Sequence, residues 1–88
     1  MPNLSRRGDA NQAGGKIVRG AKTVFCNGIP VGLHVSPITP HGTGRHSDAR
    51  TTEGSPTVIA EGDPVLRVTS GNDCGHSIVE GSPNTFVP

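Results

Sequence analysis

Apolar residues along this chain fall in short runs of three to five and never recur at three–four spacing for two helical turns. Gly or Pro interrupts every window long enough for a helix, so the pattern predicts short β-strands between tight turns. The predicted runs are Lys16–Arg19, Thr23–Asn27 with the following Gly28-Ile29-Pro30-Val31, Thr57–Glu61, Pro64–Thr69, Ser77–Glu80 and Asn84–Val87. Asn27-Gly28 supplies the two positive-φ positions of a type I′ turn and pairs Thr23–Cys26 with Ile29–Gly32. Glu61-Gly62-Asp63-Pro64 holds the corresponding place in a later unit. The intervening polar stretch LHVSPITPHGTGRHSDARTTE, residues 33–53, reads as a loop or irregular extension.

The runs repeat. Residues 10–25 and 71–86 align without a gap: Asn11 with Asn72, Gly14 with Gly75, Ile17 with Ile78, Val18 with Val79, Gly20 with Gly81, and Phe25 with Phe86. Among the positions that differ, two change into metal-ligand types, since Ala13 and Gly15 become Cys74 and His76. A shorter frame, Gly-x-x-(Thr/Asn)-(Val/Thr)-(Phe/Ile), occurs at Gly20, Gly54 and Gly81. Units this small cannot bury an apolar face alone, so the three are expected to pack on one another.

Composition sharpens the picture. The 88 residues make one domain, 1–88, with 13 Gly, 8 Pro and only two aromatics, Phe25 and Phe86, which leaves little for a core. A chain with so thin a core relies on a metal, a disulfide or a partner. A net charge of +1 offers no basic face for nucleic acid. Arg6-Arg7 is not followed by an apolar run and is no export signal, and no window approaches the roughly 18 apolar residues of a membrane span. Cys26 lies in a strand and Cys74 in a Gly-rich loop, so Cys26 reads as a small buried hydrophobe rather than half of a disulfide.

The candidate metal ligands are His34, His41, His46, Cys74 and His76. Cys74-Gly75-His76 presents two ligand types on one turn, and His41 and His46 flank a flexible Gly-Thr-Gly-Arg segment. Together they form a Cys-plus-three-His set, the number a closed tetrahedral zinc site requires. His34 sits between Leu33 and Val35 in an extended run and stands as the alternative to His41 or His46. The spacing matches no common zinc-finger pattern. Structural zinc contributes an apparent ~10–16 kcal/mol to folding, against roughly 0.8 kcal/mol for each buried methylene.

The three units, together with Pro2-Asn3-Leu4-Ser5-Arg6-Arg7-Gly8-Asp9, Pro30-Val31-Gly32-Leu33 and Pro64-Val65-Leu66-Arg67-Val68, resemble the PAAR-repeat proteins. The first of these motifs carries one residue more than the usual spacing, and the second lacks the arginine. Gly14-Gly15-Lys16-Ile17 and Gly75-His76-Ser77-Ile78 are similar to the family's stretch before the hairpin, although Ala13, Gly14 and Gly15 supply no ligand in the first copy. The resemblance implies an all-β, cone-shaped fold of three pseudo-repeated hairpin units, with little or no helix and one zinc ion near the apex held by three His and one Cys.

The resemblance also implies a function without catalysis: a tip that caps a trimeric β-helical spike, one cap per trimer, and sharpens it for piercing a cell envelope. Val24, Phe25, Ile29, Val58, Ile59 and Phe86 are the expected spike-docking residues. With no effector extension, the expected setting is a phage tail baseplate, assembled in the cytoplasm without a signal peptide. The alternative is a type VI secretion tip that also recruits effectors or adaptors non-covalently. A small zinc hydrolase is a remote alternative, because Asp48, Glu53 and Asp73 lie in no motif such as His-Glu-x-x-His.

Overall fold

The computed structural model describes residues 1–88, which form a body 32 × 23 × 22 Å across. Four strands are regular: β1 (Gly20–Cys26), β2 (Ile29–Gly32), β3 (Ile59–Ala60) and β4 (Asp63–Pro64). They form two antiparallel hairpins, β1–β2 and β3–β4. Each hairpin turns on two positive-φ residues, Asn27-Gly28 (55° and 77°) and Glu61-Gly62 (53° and 86°). The first is the Asn-Gly turn the sequence predicts; the second sets Glu61 in a left-handed conformation that its side-chain bonds to the first unit hold. The only helical element is a 3₁₀ turn, Gly44–Ser47, and no helix is long and apolar enough to cross a membrane.

Most of the pairing lies outside these strands, in isolated bridges that repeat around a pseudo-threefold axis. Arg6 bridges Val31, Leu33 bridges Val65, and Arg67 bridges Leu4, closing a ring. Further along, Asn11 bridges Ile78, Ile17 bridges Ile38, and Thr51 bridges Asn72, closing a second. At the axis the Ser5 N–H donates to Leu66 O (2.9 Å), the Gly32 N–H to Ser5 O (3.0 Å) and the Leu66 N–H to Gly32 O (2.8 Å). Each unit thus hands its backbone donors to a neighbour, and no pair of units is complete without the third.

These rings correct three sequence expectations. The predicted runs Lys16–Arg19, Thr57–Glu61, Pro64–Thr69, Ser77–Glu80 and Asn84–Val87 are mostly single bridges rather than full strands, because each segment leaves one neighbour for the next after one or two residues. Residues 33–53 are not a plain loop: Leu33, Ser36, Ile38, Ala49 and Thr51 are buried and form the framework of the middle unit. Only the segment between Ile38 and Ala49 departs from the frame. The first motif also has no extra residue, since the N–H groups of Arg7, His34 and Val68 donate to Pro30, Pro64 and Asn3, so that Asn3, not Pro2, takes the proline's place.

The core has two parts. One gathers Leu4, Val31 and Val65 with Leu33, Ala21, the hairpin residues Cys26 and Ala60, and Val87. The other gathers Ile17, Ile38, Ala49, Leu66 and Ile78, with Cys74 packed against it. Cys26 is buried and both cysteines are free, so no disulfide forms. Only one large side chain fits at the axis: Leu66 occupies it, while its equivalents are Ser5 and Gly32, where a Cβ would lie 3.3 Å from both Leu66 Cδ1 and Ile17 Cγ2.

Candidate metal centre

The ligand side chains come from two segments of different construction. Asn72–His76 is a tight turn, closed by the Asn72 N–H on His76 O (2.7 Å) and the Gly75 N–H on Asn72 O (3.0 Å), with Gly75 at φ 94°. The turn places Cys74 and His76 on the same side, with Cys74 Sγ 3.5 Å from His76 Nδ1. Its counterpart in the first unit is Asn11–Gly15, closed the same way by the Asn11 N–H on Gly15 O (2.7 Å). There the Asn11 Oδ1 accepts the N–H groups of Ala13 and Gly15, and Asn11 Nδ2 donates to Asn72 Oδ1 at 3.0 Å.

In the middle unit the frame is interrupted. From Ile38 to Thr51 the chain takes thirteen steps, where Asn11 to Ile17 and Asn72 to Ile78 take six. The extra length is folded back on itself by the His41 N–H on His46 O (3.0 Å) and the His46 N–H on Thr43 O (3.2 Å), with the 3₁₀ turn between. Gly44 takes φ 63° in that bend. This insertion carries His41 and His46 across to the Cys74 turn.

His41, His46, Cys74 and His76 each bring a ligand atom within 4.8 Å of the others. The three imidazoles surround one point, with ring centroids 4.9–5.4 Å apart. His41 Nδ1 lies 2.9 Å from Thr39 O, which makes it the protonated nitrogen and leaves Nε2 as a lone-pair donor, 3.5 Å from Cys74 Sγ. His34 is elsewhere: its Nδ1 meets Thr51 Oγ1 at 2.9 Å and its carbonyl accepts from Arg19 Nη1, so it is not a member of the group.

The residues fit a metal ion on three grounds. The donors are one thiol and three imidazoles, the set that suits zinc and similar soft-to-borderline cations. Zn–S near 2.3 Å and Zn–N near 2.0–2.1 Å at tetrahedral angles require an S···N edge of about 3.5 Å, the spacing of Cys74 to both His41 and His76. His46 Nδ1 is buried with no hydrogen-bond partner, a cost the fold carries unless the ring is engaged by something other than protein. His41 Nδ1 on the Thr39 carbonyl is the outer-sphere support that such a ligand usually has.

Of the surface positions that the sequence marks for docking, Val24, Phe25, Ile59 and Phe86 are exposed, while Ile29 and Val58 are half-buried. Phe25, Ile59 and Phe86 are threefold equivalents, each preceding a buried residue (Cys26, Ala60 and Val87), and are 56%, 55% and 48% exposed. The buried neighbours of these three side chains belong to one core cluster, whereas Cys74 packs against the other.

Sequence reasoning did not find Gly15 or Thr39 as supports of the site. Gly15 was visible only as the place where a histidine is absent. No match exists among curated proteins. The family model of the PAAR motif does match, over residues 7–80 of the 88, and the chain therefore belongs to the PAAR family, the spike-tip proteins of contractile injection systems.

Proposed function

We propose that this chain is the cap of a trimeric β-helical spike, one copy per trimer, and that it sharpens the spike for piercing a target envelope. The observation that carries the reading is the rank of Phe25, Ile59 and Phe86: three large apolar side chains, one per unit, each about half exposed. A lone exposed apolar residue needs no explanation, but three threefold-equivalent ones match a partner of the same symmetry. Val24 stands beside them, and Ile29 and Val58 line the same hairpins.

The metal in this reading is one zinc ion, held by His41, His46, Cys74 and His76. Four protein donors close a tetrahedron and leave no position for an activated water, which supports a structural rather than hydrolytic role. What zinc supplies is a crosslink between the inserted segment of the middle unit and the turn of the third, beside the smaller of the two core clusters. A phage tail baseplate is the setting we favour; a type VI secretion tip that carries effectors uses the same surfaces. Co-expression with the trimeric spike encoded in the same genome tests the reading: three spike chains should co-purify with one cap, and a cap that stays monomeric beside an intact trimer would remove the proposal.

A further inference from the structure

The arginines of the first and third motifs have different surroundings. Each guanidinium nitrogen of Arg6 has a partner: its Nε and Nη2 donate to the Asp9 carboxylate at 3.0 and 3.2 Å, and its Nη1 donates to Asn27 Oδ1 at 3.1 Å. The operation that carries Arg6 onto Arg67 carries Asp9 onto Ser70. That hydroxyl already accepts the Arg67 N–H (3.1 Å) and offers only one long contact, 3.3 Å, to Nη1. The Arg67 Nε is buried with no partner at all.

No ion pair in the protein includes Arg67; the three that form are Arg6–Asp9, Arg19–Asp63 and Arg45–Asp73. Arg7, Lys16, Lys22 and Arg50 are also without a carboxylate, but they are exposed and water satisfies them. Arg67 differs because it is half-buried, and an unpaired cation in that position is costly.

The same operation carries Asn27, which Arg6 reaches at the β1–β2 turn, onto the end of the third unit beside Phe86 and Val87. Arg67 is also one bridge removed from that segment, since Arg67 pairs with Leu4 and the adjacent Asn3 pairs with Phe86. Arg67 therefore stands beside the Phe86 segment, and its Nη2, which has no partner within the protein and is not buried as Nε is, is the donor left for a ligand. We propose that Arg67 is a carboxylate receptor on the docking face, and that its occupant is an Asp or Glu side chain of the spike. This rests on the capping function proposed above and adds its chemistry. A guanidinium fork suits a carboxylate, and apolar neighbours that exclude water on docking strengthen the pair. A symmetric spike offers three such carboxylates; Asp9 already neutralises Arg6, Leu33 has no charge, and only Arg67 takes one.

The test uses the full-length cap and the trimeric spike encoded in the same genome, with affinity measured at low and high salt and the free cap melted separately. Arg67→Gln should weaken binding at least about tenfold, with a flatter salt dependence than the wild type. Arg67→Lys should recover part of the loss, and Lys16→Gln should bind like the wild type. The free Arg67→Gln cap should melt within about 4 °C of the wild type. Wild-type affinity and salt dependence in Arg67→Gln overturn the inference while leaving the capping function intact. A free cap destabilised in step with its affinity also overturns it, because the role is then internal. A wild-type cap that does not bind overturns the capping function and this inference together.

Discussion

Gly15 is the seat of the His41 ring. A Cβ built on Gly15 would overlap His41 Nδ1 and lie 2.7 Å from Ile38 Cγ2, with His41 Cε1 at 3.0 Å. The first unit thus serves the metal site by being small where the third unit bears His76. Gly15→Ala should push the His41 imidazole off its Thr39 contact and lower metal affinity about 10- to 100-fold. Gly14→Ala is the control: Gly14 has φ 86° and open space around it, so it should cost on the order of 1 kcal/mol of stability and leave the metal bound. Competition with a chromogenic chelator separates the two.

Elemental analysis of the purified protein should find one zinc per chain. Cys74→Ser and His76→Ala should each lose it, and chelation of the wild type should lower the melting temperature by at least about 15 °C, given the size of structural zinc contributions. A metal-free wild type that melts no lower than the zinc form would contradict the assignment.

Ile59→Asp should leave the fold nearly unchanged, since the side chain is 55% exposed and such surface changes usually fall within about ±0.5 kcal/mol. Its effect should appear only with the spike, as a loss of the 3:1 complex on gel filtration. Phe25→Asp and Phe86→Asp, its threefold equivalents, should behave alike. A mutant that keeps the complex at all three positions would move the docking face elsewhere.

Glu61 clasps the second unit to the first. Its carboxylate accepts from the Thr23 hydroxyl and N–H, both at 2.7 Å, and from the Lys22 N–H at 3.0 Å. The Thr23 hydroxyl and then the backbone N–H groups hold the Glu61 pKa below its ordinary value. A depressed carboxylate stabilises the fold above its unfolded-state pKa, and that contribution disappears as pH falls through the lower, folded-state value. The clasp is therefore present at neutral pH and is lost as the pH falls from the ordinary glutamate value through the lower, folded-state one. A side-chain NMR titration should find Glu61 titrating below an unstructured glutamate, and in Glu61→Gln the Thr23 amide shift should no longer change across that window.

The sequence makes the first and third units legible because they share an uninterrupted frame of glycines and isoleucines, and the Asn27-Gly28 turn because its two residues can adopt what the turn demands. The middle unit is hidden by its insertion. Ile38 and Thr51 stand where Asn11 and Ile17 stand in the first unit, with different residue types and twice the separation, so pattern matching passes over them. The ligand set is readable from residue type alone. The choice of His41 and His46 over His34 follows from His34 lying in an extended run, and what holds His34 apart, the buried Thr51 hydroxyl, is seen only in the structure. Strand lengths are misread for a related reason: a run such as Pro64–Thr69 has the right composition for a strand, but its neighbours change every residue or two around the axis.

The rings of backbone bonds at Ser5, Gly32 and Leu66 have a consequence for assembly of the chain itself. In a linear array, repeats can be added or removed at an end and the remainder persists. Here the last unit donates to the one before it and receives from the first, so removing any one breaks two of the three interfaces at once. Ser5, near one end of the chain, donates to Leu66 near the other, so the ring closes only through contacts of long sequence separation, the kind whose loop-closure entropy slows folding. A fragment of two units keeps one interface of three and leaves the backbone groups of the other two unpaired.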